Sequence, residues 1–277
     1  MNKYVVMLGM LVMVAGAFAS DITVFDGRSN AVYGSWYSGS SDIRIADGIQ
    51  VREDNEVEYR TDVNGNVTAI CERDQKWDLE AFTLNGTNLG MIGGYDFKDG
   101  QKSLTNPNDQ HSYMGGDIFI AVDEAPVMGT ATYDPLNPTT KNNYGFDYAI
   151  QLTFNTETTG TYEVISLNSN SMVSICADIG TSNPWKYASG GEIKSEFGGD
   201  FTLSNNSDNQ GKHYVIDGID LAFITSGSTI YTHYTMECGN DNLAGKATLP
   251  VPEPGSLILF GTGLLGLIGL SIGRRKK

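Results

Sequence analysis

The sequence predicts an all-β protein: an antiparallel β-sandwich, jelly-roll-like, over residues 20–241, with an apolar segment at each end of the chain. Three observations carry this. From Ser20 onward, apolar and polar residues alternate in short runs, the period of half-buried strands. Gly, Asn, Asp and Pro close most of these runs, as tight turns require. No part of the body sustains a 3.6-residue period, so interleaved helices and a parallel sheet are not expected. A single all-β domain of roughly 200–250 residues is of ordinary size, and no composition shift divides this body.

Residues 20–60 are Gly- and Ser-rich and then charged, and they give the weakest pattern. Asn64-Gly65 marks a two-residue hairpin, because both residues adopt positive φ cheaply. Asp62, Asn64 and Asn66 are spaced like the start of a calcium loop. Val67 stands where that loop needs glycine and Arg73 where it needs a bidentate glutamate, so the turn reading prevails. Trp77 to Phe97 reads as a hairpin about Asn85-Gly86, with a bulge at Gly93-Gly94. A polar loop, 98–112, precedes GDIFIAVD at 116–123, a buried strand, and a Pro-containing surface loop covers 125–143. Strands are predicted over 144–154, 161–168 and 171–179, then a turn with two aromatics at 183–191, a linker at 192–212, and strands at 213–224 and 228–241. Residues 242–250 lack an apolar period and read as a second linker.

Both ends of the chain read as targeting segments. Lys3, the run YVVMLGMLVMV and Ala17-Phe18-Ala19 follow the charged, apolar, small-x-small order of a signal peptide over residues 1–19, cleaved between Ala19 and Ser20. The apolar run is shorter than the ~20 residues of a membrane span, and Asp21 follows at once, so removal is expected rather than anchoring. At the other end, residues 251–277 join Pro252-Glu253-Pro254, an uncharged run from Gly255 to Gly273 and the cations Arg274, Arg275, Lys276 and Lys277. At ~1.5 Å per residue the run crosses most of a bilayer core of about 30 Å as a transmembrane helix. The cations stay cytoplasmic and the body lies outside, by the positive-inside rule. Gly269 and Gly273 are spaced to let another helix approach, although glycine is common in membrane helices anyway.

Setting aside Lys3 and the four terminal cations leaves 13 basic against 33 acidic residues, a formal −20 for residues 20–254. Such a body is repelled by nucleic acid and by anionic lipid, so no nucleic-acid partner is expected. Three cysteines in an oxidising compartment allow one bridge. Cys71 and Cys238 each end an alternating run and are the candidate disulfide, with Cys176 inside an apolar run as the odd one. No zinc spacing occurs, and neither metal nor cofactor is expected.

No catalytic motif occurs. There is no GxSxG elbow, and His111, His213 and His233 lie in no HExxH or HxH spacing. Asp217, Asp220 and Glu237 are the carboxylates a glycosidase pair would draw on, and solvated strand ends are the plainer reading. Trp36, Tyr37, Trp185 and Tyr187 lie in Gly/Ser-rich turns where rings stack on sugars, or else cover the end of a core.

The ordered tail of Pro252-Glu253-Pro254, glycine-punctuated apolar helix and basic cluster resembles a PEP-CTERM sorting domain. The resemblance covers about the last tenth of the chain. It implies a Gram-negative secreted or cell-surface protein, recognised in the inner membrane by an exosortase, a cysteine transpeptidase-like membrane enzyme. It also implies loss of the membrane helix near the tripeptide, and association with an extracellular matrix of exopolysaccharide. The segments WDLEAFTLNG, MIGGYDF, GDIFIAVD, NPWKYASGG and HYTMECGND are similar to landmarks of a PEP-CTERM group without assigned activity, and bring no catalytic residue with them. The tripeptide is a substrate feature. Pro252 and Pro254 fix φ near −65° and hold it extended at the membrane surface, where a membrane-embedded protease reaches it. Three functions follow as expectations: a noncatalytic surface protein, a polysaccharide-binding module, and a secreted carbohydrate-active enzyme.

Overall fold

The structure is a computed structural model. It describes residues 19–24, 75–102, 111–127, 135–176, 182–207 and 212–251, together with the backbone of four short strands between residues 44 and 69. In chain order the strands are β1 (Ser20–Asp21), β2 (Arg44–Ala46), β3 (Ile49–Val51), β4 (Tyr59–Thr61), β5 (Val67–Ala69), β6 (Leu79–Asn85), β7 (Asn88–Gly93), β8 (Gln101–Lys102), β9 (Ser112–Tyr113) and β10 (Ile118–Val122). They continue as β11 (Thr139–Lys141), β12 (Tyr148–Phe154), β13 (Thr159–Ser166), β14 (Met172–Ser174), β15 (Lys186–Ser189), β16 (Glu192–Ile193), β17 (Gly199–Ser207), β18 (Lys212–Asp220), β19 (Thr229–Thr235) and β20 (Asn242–Thr248). Every pairing among the described strands is antiparallel, as expected.

Where two stacked sheets were expected, the main strands form one curled sheet in the order β1-β6-β7-β18-β17-β13-β12-β10-β19-β20, with β16 beside β13. Its two ends meet. Beyond β1, the Ile22 carbonyl accepts from Lys246 N and Val24 N donates to the Ala244 carbonyl, each at 2.8 Å, so the chain after β1 pairs with β20. On its other side Ile22 N donates to the Phe82 carbonyl at 3.0 Å. Closure removes the exposed strand edges that an open sheet leaves.

A barrel needs small residues where strands close on one another, and Gly245 meets that need. A Cβ there would lie 2.4 Å from Thr232 Oγ1 and 3.1 Å from the Phe82 ring. The stretch 242–250 expected as a linker is therefore mostly strand β20, and the linker expected at 192–212 contains β16 and β17. The hairpin expected about Asn85-Gly86 is present, but its two-residue turn is Gly86-Thr87, since Asn85 pairs with Asn88; Gly86 takes φ +64°. The register irregularity lies in β6, between Leu79 and Ala81, rather than at Gly93-Gly94. Strands β4 and β5 pair as a hairpin about 62–66 requires.

The barrel interior holds the main core, which includes Phe82, Leu89, Met91, Ile118, Ile120, Ile216, Ile219 and Leu243. Strand β10 is buried on both faces because a small sheet, β11-β14-β15, lies outside it. Under that sheet Phe119, Ala121, Phe146, Ile165 and Val173 form a second core. Among the described residues no helix is long and apolar enough to cross a membrane, and residues 252–277, where such a span is expected, lie outside them.

Candidate functional site

Strand directions divide the barrel into two rims. Ser20, the end of β6, the start of β7, the end of β18, the starts of β12 and β19 and the end of β20 share one rim, because each antiparallel register alternates from it. Both processing regions read from the sequence leave the body here. Ala19 and Ser20 are exposed, and Ser20 Oγ donates to the Leu84 carbonyl at 3.2 Å. Thr23 locks the segment: Phe82 N donates to Thr23 Oγ1 at 3.0 Å, and Thr23 N donates to Asp21 Oδ1 at 2.8 Å. At the other end, Leu249 is buried, donates to the Ser228 carbonyl at 2.9 Å and accepts from Gly227 N at 3.0 Å. Only Pro250 and exposed Val251 separate this pinned residue from Pro252.

The same rim carries exposed apolar side chains. Phe197, in a 3-10 turn over Ser195–Phe197, stacks on Phe223 with ring centroids 5.3 Å apart, and Phe223 meets Tyr148 edge-on at 5.1 Å. Ile193 stands beside them, more than half exposed. Carboxylates surround this group. Asp147 accepts from Val122 N at 2.7 Å, and partial burial raises its pKa. Asp123 accepts from Thr229 N and Ser228 Oγ, and Lys194 pairs with Glu192 at 2.7 Å.

The opposite rim is plugged. Tyr113, Trp77, Tyr95, Phe97 and Tyr234 form a chain of rings with successive centroids 5.7–6.4 Å apart. Beside it, His213 Nδ1 and Glu80 Oε1 lie 2.7 Å apart in a buried pair, to which Gln75 Nε2 also donates. Asp117 is buried and accepts from Tyr187 N at 2.9 Å; desolvation raises its pKa to about 6, against the pull of that bond and of Lys186. His233 donates from Nε2 to the Pro184 carbonyl at 2.9 Å, and burial lowers its pKa to about 4, so it is neutral at ordinary pH.

Of the four candidate glycan-stacking aromatics, Trp185 and Tyr187 are described, and Trp36 and Tyr37 lie outside the described residues. Both described rings are half-buried. Trp185 follows the cis Asn183–Pro184 bond and has the Lys186 ammonium 5.6 Å from its ring centre. Tyr187 packs on the second core and donates its hydroxyl to the Gly190 carbonyl at 2.6 Å. Cys238 is half-buried in the turn after Met236; its candidate partner Cys71 lies outside the described residues, so the bridge has only one end in view. Cys176 packs against the same turn, with Sγ 3.6 Å from the Met236 carbonyl. Pro252, Glu253, Pro254, Arg274, Arg275, Lys276 and Lys277 also lie outside the described residues.

The three candidate carboxylates are not brought together. Asp220 sits at the rim of the chain ends, bonded to Thr87 Oγ1 and Ala222 N. Glu237 is at the plugged rim beside His111 Nε2, 3.0 Å away. Asp217 instead lines an open cleft of about 450 Å³ on the barrel wall with Asp200, Asn155, Thr159 and Thr202, over buried Phe201. Asp200 escaped the sequence reading because only the pairing of β17 with β18 brings it to Asp217, and nothing local marks it. Among the described residues no three His, Cys, Asp or Glu side chains converge as a metal site requires.

Comparison with curated proteins and with solved structures gave no significant match. The family model of the PEP-CTERM protein-sorting motif matches residues 250–276. That span starts directly after Leu249, where the last strand is pinned to the rim. The motif implies exosortase processing and sorting to the secreted or cell-surface pool by way of the membrane. The chain is thus a β-barrel protein that carries a PEP-CTERM protein-sorting motif at its C-terminus.

Proposed function

We propose that this chain is a noncatalytic secreted or cell-surface protein of a Gram-negative bacterium, delivered through the inner membrane and associated with the exopolysaccharide matrix. In this reading residues 1–19 are removed as a signal peptide, residues 255–273 anchor the precursor, and an exosortase detaches the body near Pro252–Pro254. The observation that carries it is the position of the sorting motif, which begins where the barrel ends. The last described strand, β20, ends at Thr248, before the motif begins, so removal of the tail takes none of the described strands.

Mass spectrometry of the protein from cells with and without the exosortase tests this. The expected mature form begins at Ser20 and lacks the apolar tail only when the enzyme is present. An intact tail in enzyme-positive cells would contradict the proposal.

The cleft at Asp200 and Asp217 favours a second reading, a polysaccharide-binding module. Carboxylate, amide and hydroxyl groups along one open groove match the donor and acceptor pattern of sugar hydroxyls. Retention on the organism's own matrix polysaccharide that falls in Asp200→Asn and Asp217→Asn variants would support it. Equal retention of the variants would exclude the cleft.

A further inference from the structure

We infer that the rim carrying both chain ends is a membrane-contact face, and that Phe197, Phe223 and Ile193 seat in the headgroup region of a zwitterionic bilayer while the precursor is anchored. This rests on the proposed anchoring of residues 255–273. Two independent features of the described residues lead to it.

The first is where the chain leaves. Leu249 is held by the 227–228 backbone, so Pro252, three residues on, lies within about 10 Å of the rim even when fully extended. A signal peptide ending at Ala19 enters the bilayer from the same rim, because the segment after Ser20 wedges between β6 and β20. Either anchor brings this rim, rather than the opposite one, against the bilayer.

The second is what the rim exposes. Ile193 is 57% and Phe197 37% exposed, and Phe197 lies flat on half-buried Phe223. Aromatic rings at a membrane-water boundary are a recurrent anchor. At the plugged rim the rings are turned inward; Met114 is exposed there, and exposed Leu136 lies toward the same end on the small outer sheet rather than on the barrel mouth. Glu124, Glu196 and Asp220 share the near rim with the aromatics, and their charge disfavours an anionic surface, which is why the lipid is assigned as zwitterionic.

Photocrosslinking of the full chain tests the inference in cells lacking the exosortase, where the precursor accumulates. Benzoylphenylalanine is placed at Phe197, Phe223, Ile193 or, as the control, Met114. Carbonate-resistant pelleting first reports anchoring; if the chain does not pellet with membranes, the anchored precursor is wrong and this inference falls with it. Given anchoring, phospholipid adducts with zwitterionic headgroups at 197, 223 and 193, and none at 114, are expected. Equal adducts at 114, adducts only to another protein, mainly anionic lipid adducts, or none at the three rim positions would each overturn the inference. Released yield equal to that of the parent chain in exosortase-positive cells verifies folding of each variant, and three separate rim positions guard against one failing to fold.

Discussion

The two rims of this barrel bury their side chains differently. At the plugged rim, five aromatic rings fill the end of the cylinder, the buried Glu80–His213 pair lies beside them, and Asp117 and His233 are buried on the outer side of the wall, against the segment 184–187. At the rim of the chain ends, Leu221 and Ile224 close the core, while Phe197, Ile193 and Val251 stay exposed. The first arrangement holds the fold through packing and buried polar pairs. The second leaves apolar side chains exposed, and both segments that the proposed function has removed emerge there. In this proposal stability and processing occupy opposite ends of one barrel.

Substitutions that break this contrast should fall in a definite order. Phe97→Ala and Tyr234→Ala remove fully buried rings of the plug and are expected to cost about 3–5 kcal/mol, read as a lower urea midpoint. Glu80→Ala removes the carboxylate from the buried pair with His213 and should cost nearly as much, about 3 kcal/mol, through the same measurement. Equal stability of either class to the parent would show that the plug does not hold the barrel.

Asp117 gives a pH signature at the same rim. Its folded pKa of about 6 lies above the ordinary carboxylate value, so the folded chain takes up a proton that the unfolded chain releases. The resulting penalty is absent below about pH 4, grows between 4 and 6, and is complete above 6, at on the order of 3 kcal/mol. The parent should therefore gain stability from this group as pH falls from 7 to 4. Asp117→Asn should remove that part of the slope, and an unchanged slope would count against a buried, desolvated carboxyl.

Smaller effects belong to the seam and to the open rim. Thr23→Val leaves Phe82 N without its side-chain acceptor and should cost about 1–3 kcal/mol. Phe197→Ser removes a ring already partly in water and should change stability by less than about 1 kcal/mol. A large loss for Phe197→Ser would mean that this rim is part of the fold's support after all.

The sequence made the strongly alternating strands legible. GDIFIAVD reads as a buried strand because both of its faces are apolar, and the structure explains why: one faces the barrel core and the other the small sheet. Strands β17 and β20 were missed for two different reasons. β17 buries Phe201 and Leu203 and exposes most of its other residues, so two inward apolar positions in nine read as a linker. β20 needs Gly245 where Thr232 and Phe82 press close, and a small residue carries no apolar period. Closure by residues 22–24 depends on contacts with positions more than 50 residues away, which local pattern does not encode. The sorting tail was legible because its signal is local and ordered, whereas the Asp200–Asp217 cleft exists only through strand pairing.

The most direct test of the shared rim is the distance between the chain ends. Spin labels at Ser20→Cys and Val251→Cys, measured by double electron-electron resonance on the folded protein, should lie within about 20 Å of each other. That follows from one strand spacing of about 5 Å plus three residues beyond β20. A nine-residue strand spans roughly 30 Å. Separations of 30 Å or more would place the two ends on opposite rims and contradict the account.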